Sequence, residues 1–406
     1  MMKKFRIYWG SLLIALAVLS VVHINAATAE DTADTIEKLE EVYLPSEKCG
    51  TCHADIYNQW QRSVHRESIL HSLEGLNNFI VHGIEKDPAR KARDIKSELL
   101  KCLSCHAPML ESASPQLVNK IIADIKLASS KTTTNKEEKK RAKERLTRLN
   151  VSCYVCHNAK AVTPPDKPEK NTVYASSGKD NTPYHKTKQT TFLSNAIFCM
   201  QCHGTYTAPD REHIICSTIA QSYRDQYVSA GGQNRCQDCH MEKNNRGHTF
   251  PGAYVLETLR EAITLSISAR AIKDQPIGER KWIPSAAITV DITNNAGHRL
   301  PDGCMWSSKI VLDITATNEK DKVVWSDTKE FFEAGLDING NRRYDPWEVK
   351  DILDYSLQPR KMTSEIYYPH FPEDTKQIKL QVRLRYIHTE GLEFLVHEQR
   401  KVLRYQ

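Results

Sequence analysis

Apolar and polar residues follow different patterns in the two parts of this 406-residue chain. In the first part, stripes such as Leu117, Ile121, Ile122 and Ile125 have helical spacing. From about residue 259, apolar and polar residues alternate, which predicts strands with one buried face. The alternating runs are 263–267, 287–292, 310–316 and 378–384, with a hairpin turn predicted at 318–322. We therefore expect a mainly α domain followed by an all-β, sandwich-like domain.

The first 29 residues have the form of a secretory signal. A basic start (1–6) precedes an apolar run (7–22) and a small-residue cleavage site, Ala27-Thr28-Ala29. An uncleaved anchor is the alternative, because the run approaches the length that spans a bilayer. The predicted division is a signal peptide (1–29), a first domain (30–258) and a β-domain (259–406). The expected location is periplasmic or extracellular.

Five copies of the pattern Cys-x-x-Cys-His lie between residues 49 and 240. This pentapeptide is the attachment signal for haem c, because two thioether bonds hold the porphyrin and the adjacent histidine reaches the iron. The predicted attachment residues are Cys49, Cys52, Cys102, Cys105, Cys153, Cys156, Cys199, Cys202, Cys236 and Cys239, and the predicted proximal iron ligands are His53, His106, His157, His203 and His240. Zinc sites pair two CxxC halves, whereas each unit here has its own histidine. The sequence therefore predicts five covalently bound haems.

The spacing and charge of the chain add to this picture. The motifs use about 200 residues for five cofactors, too few for a separate core around each, so the first domain is predicted to be packed around its haems, with few strands. Cys216 and Cys304 lie outside the motifs and form either a disulfide or two thiols. The formal net charge of +6 is offset by roughly ten haem propionates, which argues against a nucleic-acid partner.

The second axial ligand of each iron decides what the haem does. A second histidine saturates the iron and suits electron transfer, while an open position admits a substrate. Ten histidines lie outside the motifs and the signal segment. The predicted distal ligands are His65, His185, His248, His213 and His298, with His82 next. The three histidines after His298 are predicted to be surface residues.

A second metal site is predicted at residues 337–348. Oxygen-bearing side chains stand at the first, third, fifth, ninth and twelfth positions of a calcium loop. They are Asp337, Asn339, Asn341, Asp345 and Glu348. The sixth position, normally glycine, is Arg342, and an Asx-rich turn without metal is the alternative.

Several stretches resemble the multihaem cytochrome c superfamily, which includes the tetrahaem cytochromes of ammonia oxidisers and hydroxylamine oxidoreductase. They are QWQRSVH (59–65), CLSCHAP (102–108), NVSCYVCH (150–157), FCMQCHG (198–204) and CQDCHMEKNNRGHTFPG (236–252). NNAGHRLPDG (294–303) resembles a C-terminal module of many such cytochromes, although Asp302 replaces the usual threonine. The resemblance implies haems stacked in parallel and perpendicular pairs with bis-histidine ligation, with His65, His185, His248, His213 and His298 as the matching positions.

Electron transfer is the predicted function. An exported pentahaem cytochrome c would carry electrons along stacked haems between a redox protein or quinol-side donor and a downstream acceptor, with the β-domain as a docking or assembly module. In this interpretation no residue is catalytic and the protein is not an enzyme. One alternative is a multihaem oxidoreductase acting on a small nitrogen or sulfur compound at one five-coordinate haem. The other is an extracellular filament-forming cytochrome, and a membrane-associated complex or homo-oligomer is among the expected assemblies.

Overall fold

The computed structural model describes residues 32–163, 166–176, 182–208, 210–278, 280–302, 308–388 and 391–406. The predicted signal peptide and Cys304 lie outside these residues. Within the described ranges, no helix has the length and apolar character needed to cross a membrane.

Short helices make up most of residues 36–262. The α-helices are α1 (Ile36–Val42), α2 (Ser46–Gly50), α3 (Ala54–Trp60), α4 (Ser68–His71), α5 (Leu73–Asn78), α6 (Pro88–Lys91), α7 (Ile95–His106), α8 (Pro115–Ser129), α9 (Lys136–Thr147), α10 (Ala196–Met200), α11 (Ile219–Ser222) and α12 (Leu256–Ala262). The 3₁₀-helices are Val64–Glu67, Pro108–Ser112, Phe192–Ser194, Lys243–Asn245 and Gly247–Thr249, and the π-helices are Phe79–Ile84, Val155–Ala159, Tyr223–Val228 and Asp238–Glu242. Two small sheets accompany them, β1 (Thr172–Ala175) with β2 (Lys186–Gln189) and β3 (Tyr206–Thr207) with β4 (His213–Ile214).

Helices α8 and α9 show how local sequence builds this part. The Ser114 hydroxyl caps the start of α8, and the predicted apolar stripe of α8 faces the core. Helix α9 buries only Ala142 and Leu146, while most of its charged residues are exposed. Arg145 of α9 donates two hydrogen bonds to Asp124 of α8, at 2.9 and 2.6 Å. A strongly charged helix is therefore attached to the core by a narrow apolar face and one bidentate ion pair.

Residues 263–404 form two sheets around a shared apolar core. The strands are β5 (Ile263–Asp274), β6 (Ile283–Asn294), β7 (Lys309–Asn318), β8 (Val323–Leu336), β9 (Arg342–Arg343), β10 (Asp351–Asp354), β11 (Met362–Tyr367), β12 (Gln377–Ile387) and β13 (Glu393–Arg404). One sheet has the order β10-β8-β7-β12-β13, with β9 on β8, and the other has the order β11-β6-β5. The four predicted alternating runs lie in β5, β6, β7 and β12, and the predicted turn joins β7 to β8.

Alternation also determines which side of each strand is buried. Ile288, Val290 and Ile292 of β6 are fully buried, while the residues between them are partly exposed. A shift of one residue would turn the apolar side chains to solvent, so the pattern selects one register. The edge of β5 away from β6 is covered by side chains, because His397 and Gln399 of β13 donate hydrogen bonds to its carbonyl oxygens at 2.7 Å each.

Candidate haem sites

Each Cys-x-x-Cys-His motif lies at the end of a helix or in a helical turn. The first motif begins in α2 and extends beyond its end, the second forms the end of α7, and the fourth begins in α10 and extends beyond its end. The third and fifth extend into the π-helices Val155–Ala159 and Asp238–Glu242. Positions i, i+3 and i+4 of a helical turn share one face, so both sulfurs and the imidazole of a motif face the same side. This arrangement is what two thioether bonds and one iron ligand require.

Hydrogen bonds orient the imidazoles of three motifs. Nδ1 of His157 donates to the carbonyl oxygen of Tyr174, and Nδ1 of His240 donates to that of Pro251, both at 2.8 Å. Nδ1 of His106 lies 2.7 Å from the Ser72 hydroxyl and 3.3 Å from the Ser68 carbonyl oxygen. A histidine that donates through Nδ1 presents the lone pair of Nε2, which is how metal-binding histidines are usually held.

Burial keeps the rings of this region neutral. It is the main cause that lowers the pKa of His65 and His203 to about 4 each, and neighbouring histidines lower these values further. Burial also lowers the pKa of His106, His157, His240 and His248. A metal binds the neutral imidazole, so these rings have the required protonation state.

Three motif histidines are each faced by a second histidine from a distant part of the chain. The pairs and their ring-centroid distances are His65 with His203 at 6.2 Å, His248 with His157 at 6.2 Å, and His298 with His240 at 6.4 Å. An imidazole nitrogen lies about 2 Å from a bound transition metal, so two rings sharing one iron have centroids roughly 6 Å apart. The three distances therefore fit one iron between each pair.

Two predicted distal ligands lie elsewhere. Nδ1 of His185 is 3.3 Å from the carbonyl oxygen of Lys186, and Nδ1 of His213 is 3.1 Å from the Thr207 hydroxyl. Among the described residues, neither ring faces a motif histidine as the three pairs do. The assignment of both as iron ligands stays a prediction.

The last three histidines use Nε2 for other contacts. His370 shares a hydrogen bond with Asp274 at 2.8 Å, His397 donates to β5, and His388 donates to the Ala253 carbonyl at 2.9 Å. The prediction of a surface position is wrong for His388, which is 4% exposed. Its ring stacks on Tyr254 at a centroid distance of 4.3 Å. This contact closes the junction between β12 and the segment before α12.

The segment QWQRSVH positions two distal histidines. Besides containing His65, it provides Gln59, whose Oε1 accepts the backbone N–H of His248 at 2.9 Å. Gly247 has a φ of +54°, which favours glycine, and a Cβ there would displace the amide of Gln59. Phe250 lies between the two histidines, with centroids 4.9 Å from His65 and 5.6 Å from His248. Sequence reasoning missed the roles of Gln59 and Phe250, although both lie in the quoted stretches.

Contacts between cysteines show which motifs are neighbours. Three thiols each shift the pKa of a thiol in another motif, which means that Cys49 lies near Cys153, Cys202 near Cys105 and Cys199 near Cys236. The first motif thus adjoins the third, and the fourth adjoins both the second and the fifth. Cys156 of the third motif contributes, after hydrogen bonds and burial, to the raised pKa of Cys199 and Cys202. The fourth motif is therefore the centre of the group.

The predicted calcium loop is folded as an Asx turn. Asp337 Oδ1 accepts the N–H of Asn341 at 2.9 Å, and Asp337 Oδ2 pairs with Arg343 at 2.7 Å. Among the described residues, the carboxylates of Asp337, Asp345 and Glu348 do not gather within 4.8 Å of one another. The calcium site stays a prediction, with the Asx turn as its alternative.

One carboxylate cluster does gather, but cations balance it. Glu98, Asp210 and Glu212 have oxygens within 4.8 Å of one another. The cations pair with them as Lys101 to Glu98 at 2.9 Å, Arg90 to Glu98 at 3.3 Å and Arg93 to Asp210 at 3.0 Å. Three positive and three negative side chains satisfy one another without a metal ion. This ion network connects α7, which carries the second motif, to the β3–β4 hairpin after the fourth.

A buried carboxyl group lies near the segment of His298. Glu333 on β8 is 3% exposed, accepts a hydrogen bond from the Thr218 hydroxyl at 3.0 Å and pairs with Arg299 at 3.1 Å. Burial, followed by the nearby Asp302 carboxylate, raises the pKa of Glu333 to about 8, although Arg299 and Thr218 oppose the shift. The sequence signal for this group was a charged residue at an inward position of a strand.

Glu333→Gln is expected to reduce the pH dependence of stability. Glu333 keeps its proton up to about pH 8 in the folded chain but only to about pH 4 in the unfolded chain. The folded state therefore binds more protons in this window, and stability falls as pH rises through it. At ~1.4 kcal/mol per pH unit, a few kcal/mol of the decline between pH 5 and pH 8 should disappear in the variant. Urea titrations at both pH values measure this, with exposed Glu319→Gln as the control; an unchanged decline in Glu333→Gln would refute the assignment.

Comparisons with known proteins bear on the motif-rich part and on the whole fold. A family model described as cytochrome c554 and c-prime matches residues 48–121. A penta-haem cytochrome c552 from Thermochromatium tepidum is similar in structure, with a TM-score of 0.61 and 20% identity over 89% of this chain and 99% of that chain. A putative ApaA protein from Bordetella pertussis has a TM-score of 0.22 and 15% identity over 35% of this chain and 92% of that chain. No curated protein gives a significant match.

These similarities agree with the chemistry of the motifs. The family match includes the first two motifs and His65, and the likeness to the T. tepidum protein shows that the fold is shared over most of the chain. Two thiols and one imidazole per motif, with buried rings held neutral, fit covalently bound haem c. Residues 48–121 are similar to the cytochrome c554 and c-prime family, and most of the chain shares its fold with a penta-haem cytochrome.

Proposed function

We propose that this chain is an exported pentahaem cytochrome c that carries electrons along closely packed, mainly bis-histidine haems. The main support is the set of three histidine pairs with ring centroids 6.2 to 6.4 Å apart, each of which includes a motif histidine. Haem supplies one-electron redox chemistry when bound, and a second histidine prevents substrate from reaching the iron. The protein's contribution is to position and insulate the cofactors.

The proposed distal ligands follow from the pairs. His65 would serve the fourth haem, His248 the third and His298 the fifth. Each comes from a segment far from the motif that it completes, so that ligation would join the chain into one unit. His185 and His213 remain the predicted ligands for the other two haems.

The proposed electron path follows the neighbouring motifs. Thiol contacts link the first motif to the third and the fourth to the second and fifth, and Cys156 connects the third to the fourth. Electrons would pass from the first haem through the third to the fourth, where the path branches. Cys52 and His53 of the first motif are exposed, which supports this end as a contact point for a redox protein or quinol-side donor, or for an acceptor.

Export is part of the proposal. It rests on the signal-like segment 1–29 and on the attachment of haem c outside the cytoplasm. The β-domain would supply His298 to the fifth haem, which gives it a part in the redox core besides a docking or assembly role.

One observation favours a second function, oxidoreduction of a small nitrogen or sulfur compound. In the described part of the chain, the rings of His53 and His106 are not faced by another histidine as the three pairs are. His106 is also buried, which would provide a shielded site on an iron with an open position.

Spectroscopy of the holoprotein tests these functions together. Electron transfer predicts five haems by intact mass, all low-spin in the oxidised state, and reduced spectra that carbon monoxide and nitrite leave unchanged. One high-spin haem that binds carbon monoxide would support the oxidoreductase instead. Fewer than five haems would contradict the pentahaem proposal, and a Cys52→Ala and Cys49→Ala double variant, expected to carry one haem fewer, calibrates the count.

A further inference from the structure

A loop of the β-domain reaches the second haem motif. Trp347, between β9 and β10, is 8% exposed and packs with Phe79, Ile84 and Ile214. We call these four residues the Trp347 cluster. Cys102, the first attachment cysteine of the second motif, packs against the same cluster. The β-domain therefore contributes to the apolar cluster beside the residue at which this haem would be joined to the chain.

The indole is closely held. Its ring centroid is 5.1 Å from that of Phe79, at an interplanar angle of 50°. On the first domain, Gly83 lies in the π-helix beside it, and a Cβ at this position would come within 3.2 Å of the indole and 2.7 Å of Phe79. Arg90 lies over the Phe79 ring at 5.6 Å. A side chain with contacts on so many sides has little freedom to leave its place.

The oxygen-rich loop that resembled a calcium site explains how Trp347 is presented. The Asx turn at Asp337 and its ion pair with Arg343 hold the start of the loop. The N–H of Glu348 donates to the Asp345 carbonyl at 2.9 Å, and the N–H of Lys350 donates to the Leu336 carbonyl at 2.7 Å, which closes the loop around Trp347. These local hydrogen bonds and the ion pair fix the position of the indole.

We propose that Trp347 is a positioning residue for the second haem, covering its thioether edge at Cys102 and excluding water there, so that the reduction potential of this haem is raised. The inference rests on haem attachment at Cys102 and Cys105. Oxidised haem carries one more positive charge than reduced haem, and an apolar surrounding disfavours the more highly charged form. The charge of the nearby Lys101 is balanced by the carboxylates with which it pairs. The apolar packing is therefore the remaining influence on the reduction potential of this haem.

Trp347→Ala is expected to lower the midpoint potential of one haem and leave the other four unchanged. At the wild-type midpoint, the oxidised-to-reduced ratio of that haem should rise at least threefold, which is roughly 30 mV by the one-electron relation of about 59 mV per tenfold. Potentiometric titration followed by electron paramagnetic resonance resolves the haems separately. Trp347→Phe should restore most of the shift, because a second aromatic ring refills the cluster.

Two further variants separate this effect from general loosening. Gly83→Ala would displace the indole and the Phe79 ring and should therefore also lower the midpoint potential of this haem. Trp325→Ala is the matched control, because Trp325 packs against Tyr367 at 5.7 Å in the β-domain core, away from the Trp347 cluster. If Trp325→Ala moves the same haem equally, or if both Trp347→Ala and Gly83→Ala leave all midpoints unchanged, the proposal is wrong.

Mass analysis of the peptide containing Cys102 and Cys105 distinguishes this failure from failure of the function itself. A peptide without haem would overturn the attachment on which both proposals rest. A haem-bearing peptide with unchanged potentials would overturn only the role of Trp347.

Discussion

Replacing His298 by alanine is expected to convert one of the proposed haems from low-spin to high-spin. The His298 ring is nearly parallel to that of His240, at 16° and 6.4 Å, as two ligands of one iron can be. Its Nδ1 donates to the Arg299 carbonyl at 2.9 Å, which leaves Nε2 for the iron. Without it, the fifth haem would keep only its proximal histidine and take up one carbon monoxide per protein.

The loop that carries His298 is built to hold this position. The Asn294 side chain donates to the carbonyl oxygens of His298 and Leu357, at 2.9 and 2.8 Å, and accepts the N–H of Ala296 at 2.8 Å. Loss of the imidazole should therefore leave the loop in place, so that added imidazole restores the low-spin spectrum. Electron paramagnetic resonance and carbon monoxide titration measure the change.

His370→Ala is the matched control for this variant. His370 lies in the same domain but is exposed and paired with Asp274. Its loss should leave every haem unchanged. A low-spin fifth haem in His298→Ala would remove His298 from the ligand set and weaken the claim that the β-domain completes a haem site.

Lys101→Met is expected to destabilise the first domain by about 3 kcal/mol, at the lower end of the effect of removing one partner from a buried ion pair. The side chains of Lys101 and Glu98 are 4% and 2% exposed, and their charged atoms are 2.9 Å apart. Burial by itself would lower the pKa of Lys101, but hydrogen bonds to Glu212 and Glu98 outweigh it and leave the pKa raised. The variant would leave two carboxylates with fewer cations in a region that water hardly reaches.

Guanidinium unfolding followed by far-ultraviolet circular dichroism measures this loss. Lys140→Met, on the exposed side of α9, should change stability by less than about 0.5 kcal/mol. Adding Glu212→Gln to Lys101→Met removes one unpaired charge and should recover part of the loss, as a double-mutant cycle would show. Equal stabilities for Lys101→Met and Lys140→Met would contradict the importance of the network.

Sequence patterns predicted the structure correctly where the chemistry or the periodicity is local. The alternation in residues 287–292 gave the buried face of β6, and the helical spacing from Leu117 to Ile125 gave the buried face of α8. At 337–348, where the pattern predicts a calcium loop, Arg343 and a backbone N–H group contact the carboxylate of Asp337. Residue type at a spacing is weaker evidence for a site when backbone groups compete for the same oxygens.

By itself, the sequence determined the cofactor and the two-part architecture, because the haem-attachment residues lie within five consecutive positions and because strand alternation is a local property. Only the tertiary structure decided that His65 faces His203, that His298 reaches from the β-domain to His240, and that Trp347 joins the apolar cluster beside Cys102. These partners are far apart along the chain, and their meeting depends on how the helices and sheets pack together. No spacing rule within one segment encodes that packing.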